Sequence, residues 1–215
     1  MLDRNGPLLV VMDVDSTVIE QEVIELIAAF AGVADEVRAV TESAMRGELD
    51  FEQSLRARVS LLAGLPVTVL DDVKQQVVLT KGARELCNAL TARGDSIALV
   101  SGGFDVVVAD IAVKLGIRHF RANTLDAVDG LLTGRLTGPI VDRAGKAAAL
   151  KEFADELGVP MSRTVAVGDG ANDLDMMRVA ALGIAFDAKP VVQAQADVAI
   201  NERDLFLVLE QINQQ

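Results

Sequence analysis

Five apolar residues, Leu8-Leu9-Val10-Val11-Met12, run straight into Asp13-Val14-Asp15-Ser16-Thr17-Val18, and this junction constrains the fold more than any other stretch. An unbroken apolar run of that length reads as a strand buried on both faces, inside a parallel sheet covered by helices. It delivers two carboxylates to the carboxyl edge of the sheet, where open α/β folds collect their ligands. The chain is already leaving the strand there, so acids two residues apart need not share a face. One is free to act as nucleophile and metal ligand while the other handles protons. A turn with a solvated acid explains an isolated Asp-x-Asp equally well, and only the downstream segments tell against it.

A chain of 215 residues buries a substantial core and is expected to form one domain, or one domain with an insertion. Trp and Tyr are absent, so the core is built from Ala, Val, Leu and Ile, which suits layered α/β packing. The net charge of −12 argues against nucleic acid or an anionic membrane as partner. A small anionic substrate stays open, because a bound cation and a few placed bases reverse the local field. Cys87 is the only cysteine, which rules out an intramolecular disulfide; its helical surroundings suggest a small core residue. No segment is long enough to span a bilayer, and no leader is expected before Leu8, so the cytoplasm is the expected compartment.

Helical spacing marks Glu20 to Ala31, Ala34 to Arg46 and Phe51 to Ala63, and Pro66 opens another helix. No strand pattern interrupts the roughly sixty residues between Val18 and Lys81, far more than a minimal crossover needs. The expected fold is therefore a Rossmann-like parallel sheet core, residues 1–19 and 81–215, with residues 20–80 inserted as a helical cap after the first strand. Strands are expected at Ser96–Val100, Thr164–Val167, Gly183–Phe186 and Val198–Ile200. Asp129-Gly130 and Thr133-Gly134 suggest hairpins between Asn123 and Val141.

Three further segments carry chemistry. In Leu99-Val100-Ser101-Gly102-Gly103-Phe104 a strand ends in a hydroxyl and two glycines before a helix, offering N–H groups to phosphate oxygens. A tight strand-to-helix turn explains the same residues. Lys146 opens an Ala-rich helix, where a solvated surface lysine is the ordinary reading. Val167-Gly168-Asp169-Gly170-Ala171-Asn172-Asp173 places Asp169 where a hard cation wants a carboxylate, while Asn172 and Asp173 also suit a helix cap. Together, acid pair, hydroxyl, lysine and acid at successive strand ends fit Mg²⁺ and a transferring phosphoryl group.

These motifs resemble the haloacid dehalogenase superfamily, and with Phe51-Glu52-Gln53-Ser54-Leu55-Arg56-Ala57-Arg58-Val59 the chain is most similar to its phosphoserine phosphatases. The resemblance runs from about Leu8 to Leu209. It implies Asp13 as nucleophile forming an aspartyl-phosphate, and Asp15 as general acid and base. Mg²⁺ would be held by Asp13, Asp169 and the backbone carbonyl of Asp15. Ser101, the Gly102 backbone and Lys146 would hold the phosphoryl oxygens, Asn172 would support the phosphate or Asp169, and Asp173 would stand behind them. Glu22 and Arg58 would take the ammonium and carboxylate of phosphoserine. Helix geometry supports Arg58: it falls about 60° from the centre of the Phe51–Leu55–Val59–Leu62 face, against about 100° for Arg56 on the other flank. Glu22 also suits a helix N-terminus by charge alone. Met45 and Phe51 are candidates for an apolar pocket wall, and His119 has no expected role. The expected partner is a small phosphomonoester, with no nucleic acid or membrane; monomer and homodimer are both open. A phosphatase for another phosphomonoester, a phosphotransferase to an alcohol, and a phosphoaccepting receiver-like module are the rival readings. The last leaves the helical insertion and Asp15 unexplained. No N-terminal regulatory domain is expected, because the first strand starts so early.

Overall fold

The computed structural model describes residues 2–45 and 48–215. β1 (Leu9–Met12) leads through a turn at Val14–Val18 into four helices, α1 (Val23–Ala31), α2 (Ala34–Met45), α3 (Phe51–Ser60) and α4 (Val69–Gln76). Then come α5 (Ala83–Ala92), β2 (Ser96–Phe104), α6 (Asp105–Leu115), β3 (His119–Val128), β4 (Leu131–Thr137) and α7 (Arg143–Glu156). β5 (Thr164–Gly168), α8 (Leu174–Val179), β6 (Leu182–Phe186), α9 (Pro190–Gln193), β7 (Val198–Ile200) and α10 (Leu207–Gln214) follow. The strands form one seven-stranded sheet in the order β4-β3-β2-β1-β5-β6-β7, parallel except for the β3–β4 pair.

β1 is the centre of that order and its reversal point, the position where a crevice opens beyond the strand ends. Met12 is in register with Leu99 of β2 and Val167 of β5. Asp13, Ser101 and Asp169, distant in sequence, therefore leave the sheet side by side. Alternation along β1 sends Leu8, Val10 and Met12 into one apolar layer with Leu86, Val108 and Val208. Leu9 and Val11 enter the other, with Leu150, Phe153 and Met177. With both faces covered, the strand is uniformly buried, which is why its sequence is apolar throughout.

The four helices between β1 and α5 leave and rejoin the sheet at one place. Ile19 bridges Leu79, the Glu20 N–H donates to Val78 O (3.0 Å), and the Thr80 N–H to Val18 O (2.9 Å). A second attachment lies at the α3–α4 connection. There the Gly64 N–H donates to Leu132 O (2.8 Å), the Leu132 N–H to Leu65 O (2.9 Å) and the Val67 N–H to Gly130 O (3.0 Å). α3 starts at a reciprocal cap: Asp50 accepts from the Gln53 N–H (2.8 Å) while the Gln53 side chain accepts from the Asp50 N–H (3.1 Å).

Several boundaries differ from expectation. α1 begins at Val23 rather than Glu20, because Ile19 and Glu20 are drawn into extended pairing with Val78 and Leu79. α3 ends at Ser60, not Ala63, as the chain turns toward the sheet. Only Asp129-Gly130 makes a hairpin turn; Thr133-Gly134 lies within β4, where the pairing with β3 shifts register. β2 continues to Phe104 and α6 starts at Asp105, so Ser101-Gly102-Gly103 form a bulged strand end rather than a helix N-terminus. None of the described helices is long and apolar enough to cross a membrane.

Candidate active site

Asp13 follows β1 directly, is 4% exposed, and donates its N–H to Val167 O at 2.9 Å. Lys146 is wholly buried, contrary to the ordinary expectation for a surface lysine. Its Nζ lies 2.6 Å from both Asp13 Oδ1 and Asp173 Oδ1. The helix that carries it is set by Asp142, whose carboxylate accepts from the Gly145 N–H at 2.7 Å. Burial alone would depress the lysine, but the charges of Asp13 and Asp173 outweigh it and hold its pKa above the ordinary value. The ammonium gives each of the two buried carboxylates a hydrogen-bonded partner but offsets only one negative charge.

Asp173 is committed on both oxygens, one to Lys146 and the other to the Gly170 N–H at 3.0 Å. It packs so close to Gly168 that a Cβ at that glycine would lie 2.4 Å from its Cγ. Asp169 accepts from the Thr17 hydroxyl at 3.3 Å, and burial, then Asp173 and Glu22, push its carboxyl up to about 6. Burial and Asp173 likewise raise Asp13 well above the carboxylate range, with Lys146 opposing. Asp13, Asp169 and Asp173 present oxygens within 4.8 Å of one another. An oxygen-only donor set with one ammonium against three carboxylates carries surplus negative charge, and it fits a hard divalent cation.

Asp15 sits on the other side of the same turn. Ser16 adopts a left-handed φ of 58°, which lets the chain reverse immediately after Asp15. Asp15 Oδ1 accepts from the Val23 N–H (3.0 Å) and Oδ2 from the Ser101 hydroxyl (3.2 Å). Burial and the nearby Glu22 raise its carboxyl to about 7, against the pull of the Val23 bond. Gly103 is required here: a Cβ would lie 2.5 Å from Asp15 Oδ2.

Above these groups is a cavity of about 420 Å³. Asp13, Asp15 and Asp169 line it from the sheet edge, and Glu22, Phe51 and Arg58 from the inserted segment. Gly102, Gly103 and Asn172 also line it, whereas Ser101 and Lys146 lie behind the lining, fully buried. Arg58 Nε donates to Ser54 O at 3.3 Å; burial lowers its pKa against the charges of Glu22, Glu25 and Asp15. Arg56 instead points to solvent and pairs with Glu52 at 2.7 Å. Glu22 accepts from the Ser16 hydroxyl at 2.7 Å. The side chain of Met45 lies outside the described residues. His119 packs edge-on against Phe153, away from the cavity. Sequence reasoning missed Thr17 and the buried Asn123. The only signal for the latter was an Asn inside a strand, where that residue is disfavoured.

Residues 10–178 match the family of haloacid dehalogenase-like hydrolases. The chain belongs to that family. Among these hydrolases it is similar to the phosphoserine phosphatase of Streptomyces coelicolor, 59% identical over 208 residues, 97% of this chain and 51% of that protein. The phosphoserine phosphatase of Streptococcus thermophilus is 50% identical over 202 residues, 94% of each chain. This chain therefore spans about half the length of the first relative and nearly all of the second. A solved structure of a phospho-aspartyl intermediate analogue of phosphoserine phosphatase superposes with a TM-score of 0.90 at 43% identity, covering 96% of this chain and 99% of that one.

Proposed function

We propose that this hydrolase is a Mg²⁺-dependent phosphoserine phosphatase, releasing serine and phosphate through an aspartyl-phosphate on Asp13. The observation that carries the reading is a single cavity lined by Asp13, Asp15 and Asp169, with Lys146 buried against Asp13 behind it, and by the opposite charges of Arg58 and Glu22. Phosphoserine has a phosphate at one end and a carboxylate and an ammonium at the other. Asp13 attacks phosphorus as the bond to the serine oxygen breaks, and Asp15 gives that oxygen its proton. A carboxyl held near 7 is protonated often enough at neutral pH to do so. Asp15, now ionised, takes a proton from the water that attacks the phosphoaspartate, and the cycle closes. The backbone at Gly102 and Asn172 would meet the phosphoryl end, with Lys146 and Ser101 supporting it from behind the lining. Asp13, Asp169 and the Asp15 carbonyl would hold Mg²⁺, which when bound offsets the repulsion between carboxylate and phosphate. Asp173 instead serves Lys146.

In this reading residues 20–80 are a substrate-selecting cap on a core of residues 1–19 and 81–215. The unpaired, buried Cys87 suits a reducing cytoplasm. The similar fold that holds a phospho-aspartyl intermediate analogue supports the covalent route. The test is phosphate release from phosphoserine with Mg²⁺ and with chelator, alongside acid quenching during turnover. Metal-dependent release with phosphate trapped on Asp13 is expected, and Asp13→Asn should abolish both while leaving the fold intact. Substantial turnover by Asp13→Asn would overturn the mechanism. Transfer to added alcohols exceeding hydrolysis would favour a phosphotransferase.

A further inference from the structure

Asn123 does not line the cavity, yet it is 1% exposed and both ends of its amide are engaged. Nδ2 donates to Gly102 O at 2.8 Å, and Oδ1 accepts from the Val141 N–H at 2.8 Å. One partner only accepts and the other only donates, so a single amide orientation satisfies both. Gly102 lies in the strand-end bulge of β2, where the register against β3 shifts between Val100 and Phe104. Val141 immediately precedes Asp142, the cap of the helix that carries Lys146. The amide thus ties the two segments that flank the phosphate end of the cavity.

The consequence follows from peptide planarity. The Gly102 oxygen and the Gly103 N–H belong to one peptide and point in opposite directions. Fixing the oxygen on Asn123 therefore aims the Gly103 N–H, which donates to Ser101 Oγ at 2.7 Å. The Ser101 hydroxyl, its acceptor side so occupied, donates to Asp15 Oδ2 at 3.2 Å. Val141, Asn123, Gly102–Gly103, Ser101 and Asp15 make one directed chain of hydrogen bonds. Two glycines in succession have little stiffness of their own, so this bulge needs an external clamp.

Building on the proposed phosphatase activity, we propose that Asn123 is a positioning residue that clamps the Ser101–Gly103 bulge to the Lys146 helix and so orients both the phosphate-binding backbone and Asp15. It acts at the phosphoryl centre, through the backbone there and through Asp15, and not on the amino-acid end of the substrate.

Asn123→Asp keeps size and the acceptor for Val141 but removes the donor to Gly102. Its kcat should fall roughly 10- to 100-fold for phosphoserine, as expected for a small misplacement of reacting groups, and should fall for p-nitrophenyl phosphate as well, by less because that leaving group depends less on Asp15. The control is Thr164→Val, which removes a buried hydroxyl bonded to Met161 O (2.8 Å) at the opposite end of the sheet. It should lower Tm without changing kcat or KM. Hydrogen exchange in the metal-free protein supplies a readout independent of activity: the Gly103 amide should lose protection in Asn123→Asp while amides of β1 keep theirs. Should Asn123→Asp not fold, Asn123→Ser is judged by the same criteria. A variant that loses Tm alone, with kcat within about twofold of wild type and Gly103 still protected, overturns the inference. So does a loss confined to phosphoserine. If the wild type hydrolyses p-nitrophenyl phosphate but not phosphoserine, the substrate reading fails and Asn123 is still judged on the former. If it hydrolyses neither, Gly103 exchange decides.

Discussion

Asp13 and Asp15 leave one strand two residues apart and meet opposite surroundings. Asp13 is fixed on an ammonium, while Asp15 faces Glu22 and two hydrogen-bond donors and rises to about 7. Burial and Asp173 raise Asp13 too, but in the proposed mechanism its ammonium partner would set the nucleophile apart from the proton carrier, which predicts distinct mutants. Asp15→Asn keeps the attack and loses proton transfer, so kcat for phosphoserine should fall about 10²–10⁴-fold. p-Nitrophenyl phosphate needs less protonation of its leaving group, so single-turnover phosphorylation of the mutant should partly recover with it. Equal losses with both substrates would remove Asp15 as the acid. On the inserted side of the cavity, Arg58→Ala should raise KM for phosphoserine strongly and also lower kcat, because a contact away from phosphorus helps to place the phosphate. Phosphoethanolamine lacks the carboxylate and should change much less. Arg56→Ala, whose side chain is exposed on Glu52, should leave both substrates nearly unaffected. If it proved as damaging as Arg58→Ala, general positive potential rather than a contact would explain the arginine effect.

Arg58 is only as well placed as α3, and α3 rests on the β3–β4 hairpin. Gly134, at φ 76°, lies against that helix: a Cβ there would stand 2.9 Å from Ala63 Cβ and 3.0 Å from Ser60 O. Gly134→Ala combines left-handed strain with a clash and should cost about 1–3 kcal/mol of stability in urea unfolding. It should also raise KM for phosphoserine while sparing p-nitrophenyl phosphate. A stability loss with unchanged KM would mean that the hairpin does not set α3. The sequence made the strands around the site legible because buried parallel strands are apolar throughout, and the acids, serine and glycines stand at their ends. Helical phase was enough to separate Arg58 from Arg56. It did not reveal the contact between Gly134 and α3, because a Thr-Gly pair signals a turn whether or not a strand continues through it. Nor did it place Ser101 behind the cavity, since the bulge depends on Asn123, which pairs with β2 from a different strand. Lys146 read as a surface lysine for the same reason: its two carboxylates come from β1 and from the turn before α8.

At the scale of the whole molecule, the fold concentrates charge where it is hardest to solvate. A chain of net charge −12 buries Asp13 and Asp173 and sets Asp15 and Asp169 beside them, with Lys146 as the one buried cation among the described residues. Without metal this arrangement opposes folding once the acids ionise. The folded pKa values of Asp15 and Asp169, about 7 and about 6, lie above the ordinary 3.8, so the folded state holds protons that the unfolded chain has released. Their contribution is complete below 3.8 and is lost as pH rises through the folded values. Asp3, Asp175 and Asp204 have lowered pKa values and act with the opposite sign, but only below 3.8, outside that window. In chelator, Tm should therefore fall between about pH 5 and about pH 7.5. On the proposed role of the site, Mg²⁺ would bind the ionised form, so the rise in Tm that it brings should be several-fold larger at about pH 7.5 than at about pH 5. Ca²⁺, another hard cation, should stabilise as well, since the effect requires charge and oxygen ligands rather than turnover. Asp169→Asn should lose most of the Mg²⁺-dependent gain while lessening the fall of Tm in chelator. A Mg²⁺ gain of equal size at both pH values, or one that survived Asp169→Asn, would place the cation elsewhere on this acidic surface.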